Sequence, residues 1–254
     1  MKSTPYVLYA LLCFSELAVA DGSTLAFTQS ADRSVLAVYD SGSCPVGPNP
    51  NQTIAPVVSI DASQVNISSY GGIAGPYGTC NPRLVPGFML PASLGKLADG
   101  HYTVTWTYSP GQITGAFDVV QGSLVTSNGA TFPHPSAISG LWYDPAYTGS
   151  GFNFQLSYQG LLVTYYGWDA AGNRLWLTSD IGPSSLAVDG PVVLNMTYTT
   201  GGVFGNPQHN LAQWGQLIVK FSSCQAARIT LSGKDGMLNS SPVLLAGIVG
   251  LPGC

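Results

Sequence analysis

Eight tryptophans and tyrosines crowd into one stretch of this chain: Trp142, Tyr143, Tyr147, Tyr158, Tyr165, Tyr166, Trp168 and Trp176. Rings at that density do one of two things. They close a β-sheet core through cross-strand pairs worth roughly 0.2–1 kcal/mol each, or they stand on a surface as a flat apolar platform for a sugar ring, a peptide or a lipid. Read as an extended strand, Leu161–Trp168 places Leu162, Thr164, Tyr166 and Trp168 on one face and Leu161, Val163 and Tyr165 on the other. Both faces carry rings, so one must build the core while the other can meet a ligand. The candidate binding residues are therefore Trp142, Tyr143, Tyr166, Trp168 and Trp176.

Other chemistry finds less material. A small secreted hydrolase acting on polysaccharide or ester substrates would need two carboxylates roughly 5–10 Å apart, and Asp144, Asp169 and Asp180 are the candidates. Asp144 precedes Pro145, and Asp169 opens a turn ending in Gly172-Asn173, positions where Asp is favoured for its local hydrogen bonds. There is no Gly-x-Ser-x-Gly elbow, and His101, His134 and His209 have no triad context. No Cys-x-x-Cys pair, Cys/His cluster or calcium loop is present, so neither a metal nor a cofactor is expected and no catalytic residue is assigned. Three readings follow: a non-catalytic binding or surface-interaction protein, the hydrolase as its alternative, and a purely structural or adhesive module.

Only 8% of the 254 residues are charged, with net charge −4, against roughly 25% charged in an ordinary soluble domain. The cations are too few and too scattered to neutralise phosphates, which excludes a nucleic-acid partner and a polybasic membrane anchor. Residues 1–20 have the form of a signal peptide: Lys2, an apolar run from Tyr6 to Phe14, and the small-residue site Ala18-Val19-Ala20. That run is too short to span a bilayer, as is Val243–Leu251. The mature chain is thus expected in the periplasm or outside the cell, without a transmembrane segment. It would retain Cys44, Cys80, Cys224 and Cys254, an even set allowing three connectivities. The local pairing, Cys44–Cys80 and Cys224–Cys254, would keep each bridge within one domain. Cys254, as the terminal residue, could instead remain free.

The elements that must position these groups are strands. Glu16 is the only glutamate, and Glu, Lys and Arg are strong helix formers. The 31 Gly and 18 Pro favour short strands and turns instead. Val125–Ser139, with Asn128-Gly129, Pro133 and Pro135, reads as a linker between domains. The first domain, 21–124, has strand candidates at Thr24–Thr28, Val35–Tyr39, Val57–Ile60, Gln64–Ile67, His101–Tyr108 and Gly115–Val120. Its Leu97–Tyr102 segment resembles the tyrosine corner of immunoglobulin-like sandwiches, and Ser41–Asn51 reads as a long loop tied to Cys80. The second domain, 140–254, has eight candidates: Leu141–Tyr143, Phe152–Tyr158, Leu161–Trp168, Arg174–Asp180, Val192–Thr199, Leu217–Ser222, Arg228–Ser232 and Val243–Val249. Eight strands joined mainly by short turns suit an antiparallel up-and-down barrel or a strongly curled sheet. The fold class expected is all-β.

The motifs Trp142-Tyr143-Asp144-Pro145 and Gly149-Ser150-Gly151-Phe152, then YYGWDAAGNRLW (Tyr165–Trp176), TGGVF (Thr200–Phe204) and LIVKFSSCQAAR (Leu217–Arg228), follow in order. This series resembles a domain recurring in exported proteins of Gram-negative bacteria. Tyr165, Trp168 and Arg174 stand where that family's hairpin carries Trp, Tyr and Pro. The resemblance implies export and a β-rich fold, and it assigns no catalytic residue.

Overall fold

A computed structural model of the chain describes residues 23–42, 46–48, 55–69, 71–73, 87–108, 111–125, 130–201 and 209–253. Residues 1–20 and Cys44, Cys80 and Cys254 lie outside them, as does most of the TGGVF motif. The described residues are all-β apart from one short 3-10 turn.

The first half contains β1 (Thr24–Gln29), β2 (Val35–Asp40), β3 (Val46–Pro48), β4 (Val57–Asp61), β5 (Gln64–Ser69), β6 (Gly71–Ile73), β7 (Met89–Gly95), β8 (Gly100–Tyr108), β9 (Gly111–Val120) and β10 (Ser123–Val125). These make sheets of order β1-β2-β7 and β10-β9-β8-β5-β4, with β3 and β6 as a separate pair. The two larger sheets pack face to face. Val35, Ala37 and Tyr39 of β2 share a core with Tyr102, Val104, Trp106 and Tyr108 of β8, the alternation that a strand's period of two requires. The Tyr102 hydroxyl donates to the Ala98 carbonyl at 2.9 Å, the back-bond expected at that corner. One pairing, β5 with β8, is parallel, unlike the wholly antiparallel sheets of the immunoglobulin sandwich. The segment expected as a long loop after Ser41 contains β3, which pairs with β6.

The second half contains β11 (Gly140–Tyr143), β12 (Gly151–Ser157), β13 (Gly160–Trp168), β14 (Arg174–Ser179), β15 (Pro191–Thr200), β16 (Asn210–Ser223), β17 (Ala226–Gly233), β18 (Gly236–Ser240) and β19 (Val243–Gly247). From β11 to β17 each strand pairs antiparallel with the next. β17 meets β19 at Ala226–Val243, and β19 returns to β11, closing a ring of eight strands. β18 folds back on β17 as a hairpin. The eight strands expected from periodicity are the eight that form this ring.

Side chains fill a ring of this size. Trp142, Phe154 and Phe221 meet edge to face inside it, with centroids 5.2–5.6 Å apart. Leu161, Leu177, Leu194 and Leu217 surround them, fully buried. Within the expected linker, Thr131 bridges to Ala187, while Phe132 and Ile138 pack into the ring's core.

The halves are joined through β2. Its inner face builds the sandwich core, and its outer face, with Met89, covers Ile218 and Val193 of the ring. Asp40, at the end of β2, is bonded by Lys220 Nζ at 2.8 Å and by Arg228 at 3.0 Å. Met89 N–H donates to Thr230 Oγ1 at 2.9 Å.

Candidate functional site

Strand alternation decides where each candidate ring goes. On β11, Trp142 points inward and is fully buried, its indole N–H donating to the Ile138 carbonyl at 2.8 Å. Buried beneath the core in this way, Trp142 cannot contribute to a surface platform, and the expectation for it as a binding residue is replaced by a structural one. Its neighbour Tyr143 falls on the outer face. On β13, Leu161, Val163 and Tyr165 are buried, while Tyr166 is half-buried and Trp168 is 52% exposed. On β14, Leu175 and Leu177 point inward, and Trp176 is 68% exposed.

Register gathers the outer residues into a row. Val243 pairs with Tyr143, Gly151 with Tyr166, and Tyr166 with Trp176. Trp142–Phe152 is the last β11–β12 pair, so the next step along both strands brings Tyr143 beside Gly151. Tyr166 and Trp176 have centroids 6.5 Å apart at 45°, and Trp168 lies two residues beyond Tyr166 on the same strand. Glycine at position 151 makes this possible. A Cβ there would stand 2.5 Å from the Tyr166 hydroxyl and 2.7 Å from the Trp142 carbonyl oxygen, so the tyrosine leans across β12 only because no side chain opposes it. Gly149, at φ +85°, leaves similar room 3.5 Å from the Trp168 indole nitrogen. The row is flanked on the same outer face by Arg174, paired with Trp168, and by Asn153, Thr164 and Thr178, which pair across the strands two positions from Gly151, Tyr166 and Trp176.

The carboxylates are each engaged by hydrogen-bond donors of the scaffold. Asp144 accepts from Ala146 N–H, Ser240 Oγ and Ser241 N–H at 2.8–2.9 Å. Asp169 accepts from the Asn173 side chain and backbone and from Ala171 N–H, and these bonds, Asn173's first, hold its carboxyl below the ordinary carboxylate range. Asp180 accepts from the Asn195 backbone and side chain. Asp169 and Asp180 flank opposite ends of β14, roughly 20 Å of strand. No hydrogen bond joins any two of these three among the described residues. Asp118 Oδ1 accepts from His101 Nδ1 at 2.8 Å on an exposed strand face, and His134 precedes the 3-10 turn. Among the described residues no group of His, Cys, Asp or Glu side chains is placed to hold a metal ion, and no helix is long and apolar enough to cross a membrane. Cys224 is buried and disulfide-bonded, its partner lying outside the described residues.

A small cavity of about 170 Å³ lies at the end of the ring where β13 turns into β14. Trp168, Leu175, Trp214, Met237 and Leu238 are among the residues that line it. Trp214 is nearly buried and its indole N–H donates to Asp235 Oδ2 at 2.6 Å. Sequence reasoning passed over Trp214 because it precedes the alternating run Leu217–Phe221, in a part of β16 where exposed Leu211 and Gln213 break the pattern. A wider groove, about 590 Å³, runs between the halves along β1 and the 183–192 segment and holds none of the candidate aromatics.

Comparison of the chain with known protein families, with curated proteins and with solved structures returns no match.

Proposed function

We propose that this chain is a non-catalytic binding module of the periplasm or cell exterior, and that its outer aromatic row engages carbohydrate. The observation that carries the reading is the row itself: Tyr166, Trp168 and Trp176 held on the paired strands β13 and β14, with both indoles at least half exposed. A large apolar ring left exposed is costly unless something covers it. Sugar C–H faces stack on such rings, and the Asn, Thr and Arg side chains alongside supply the hydroxyl partners that a peptide's or lipid's apolar surface would leave unused. Export of the chain, cleavage after Ala20 and kinship with the exported Gram-negative domain belong to this proposal; the disulfide at Cys224 supports an oxidising compartment.

The test is retention of residues 21–254 on insoluble and soluble polysaccharides, comparing wild type with Trp176→Ala and Trp168→Ala. Binding should fall by roughly tenfold or more in each variant, with the thermal midpoint unchanged within about 2 °C. Loss of folding in both variants would return the rings to the core. Unimpaired retention would leave the row without a role.

A further inference from the structure

The cavity at the mouth of the ring has a chemistry different from that of the outer row. Its lining is mostly apolar: Leu175, Leu231, Met237 and Leu238, with the indoles of Trp168 and Trp214. Two carboxylates, Asp169 and Asp235, line it as well, and no Lys or Arg does so among the described residues. Arg174, the cross-strand partner of Trp168, belongs to the outer face, and Lys234 is turned onto the Tyr198 ring, 3.7 Å from its centroid.

The carboxylates' existing bonds narrow the ligand class. Asp169 already accepts three hydrogen bonds from its own turn, and Asp235 Oδ2 accepts from Trp214. Asp169 therefore acts on a guest mainly through its negative field, while Asp235 keeps its Oδ1 and adds one open acceptor to its field. A sugar or a peptide amide would bury more hydroxyl, N–H and carbonyl groups against this apolar lining than one acceptor can satisfy. A methylated ammonium needs none: its charge is spread over an apolar surface, it is attracted to the faces of indole rings, and it is favoured by nearby anions. Size agrees, since a cavity of about 150 Å³ suffices for benzene. We infer that the ring-mouth cavity between Trp168 and Trp214 is a binding site for an organic cation bearing a trimethylammonium group, of the choline type, held by cation–π contact in the field of Asp169 and Asp235.

This site goes beyond the proposed carbohydrate row and shares only Trp168 with it. The experiment titrates the full chain with choline and, in parallel, with its uncharged isostere 3,3-dimethylbutanol, following the indole N–H resonances of Trp168 and Trp214. Saturable shifts of both indoles are expected with choline, and binding of the isostere roughly tenfold or more weaker. Trp168→Ala should weaken choline binding by roughly 3- to 30-fold as read from Trp214. Asp235→Asn, which retains an acceptor for the Trp214 N–H, should weaken it several-fold while leaving the fold intact. Flotation with phosphatidylcholine vesicles, against phosphatidylglycerol as control, separates a lipid headgroup from a free solute as the source. Equal affinity for the isostere, or the absence of saturation at roughly 100 mM choline, would overturn the inference. Trp176→Ala, which lies outside the cavity, distinguishes this site from the row: it should lower polysaccharide retention by roughly tenfold or more and leave choline binding unchanged.

Discussion

Trp142 and Trp176 stand on neighbouring parts of one sheet and differ in everything that matters energetically. Trp142 is wholly buried, wedged against Phe154 and Phe221 with its N–H spent on Ile138. Trp142→Ala should cost about 3–5 kcal/mol and lower the thermal midpoint by on the order of 10 °C, measured by calorimetry or circular dichroism. Trp176→Ala should leave the midpoint within about 2 °C. The facing of Tyr166, Trp168 and Trp176 was legible because each sits in a run long enough for alternation to declare itself. β11 is only four residues long, and in Trp142-Tyr143 either ring could have been the inward one; the ring interior took the larger and fully buried the indole. Residue chemistry also marks Thr103, whose Oγ1 is buried without a hydrogen-bond partner among the described residues. Removing an unsatisfied hydroxyl while keeping the branched shape should be neutral or stabilising, so Thr103→Val is expected to raise stability by up to about 1 kcal/mol in urea unfolding. A loss of more than that would mean the hydroxyl has a partner.

At the scale of strands, what the sequence reveals depends on how cleanly apolar and polar residues alternate. All eight ring strands were legible for that reason. β7 was not, because Pro91 and Gly95 interrupt its run; proline removes a ladder donor and is confined to edge strands, and β7 is indeed the edge of the β1-β2-β7 sheet. β18 was hidden by Gly236 and the polar Asn239-Ser240 at its ends. The closing of the ring was legible only as a strand count, since the pairing of β17 with β19 rests on a single residue pair. The element most open to a decisive test is β12 at Gly151. Gly151→Ala sets a methyl against both a movable group, the Tyr166 hydroxyl, and a fixed one, the Trp142 carbonyl. The fixed contact should destabilise the ring by roughly 1–3 kcal/mol. The movable one should swing Tyr166 off β12, so that polysaccharide retention falls in the variant even well below its melting temperature. Retention equal to wild type would show that Tyr166's lean across β12 is not part of the binding surface.

The molecule as a whole is two β units joined by apolar contacts around β2, among them that of Val38 and Met89 with Ile218 and Val193, and by an ionic contact. Neither was legible in the sequence, because an inter-domain contact has no local period: β2 simply reads as apolar throughout, and only the fold shows that its second face is buried against the ring. The ionic contact centres on Asp40, whose side chain is 4% exposed. Burial alone would raise its pKa; the Lys220 hydrogen bond, the Arg228 and Lys220 charges and the Gly42 N–H outweigh that and hold it below the ordinary value. A carboxylate whose pKa is depressed on folding stabilises the fold fully above its unfolded pKa, about 3.9, and loses that contribution as pH falls through the lower folded value. Stability should therefore hold from neutrality to about pH 5 and then drop as the medium becomes more acidic. Asp32, held at about 2 by Ser30 and Ser34, and the exposed Asp99 and Asp169 titrate in the same region, so the wild-type curve alone does not isolate the contact. Asp40→Asn does. At pH 7 it leaves two cations facing a neutral amide in a buried site and should destabilise by roughly 3–5 kcal/mol, and the gap between wild type and variant should narrow as the pH falls below the ordinary carboxylate range toward the lowered folded value of Asp40, where wild type loses the same charge. Thermal midpoints measured from pH 7 to pH 2 for the two proteins give the answer: curves that approach one another toward acid identify Asp40 as the acid-labile clasp between the halves, and curves that stay parallel show that the loss of stability in acid comes from other carboxylates.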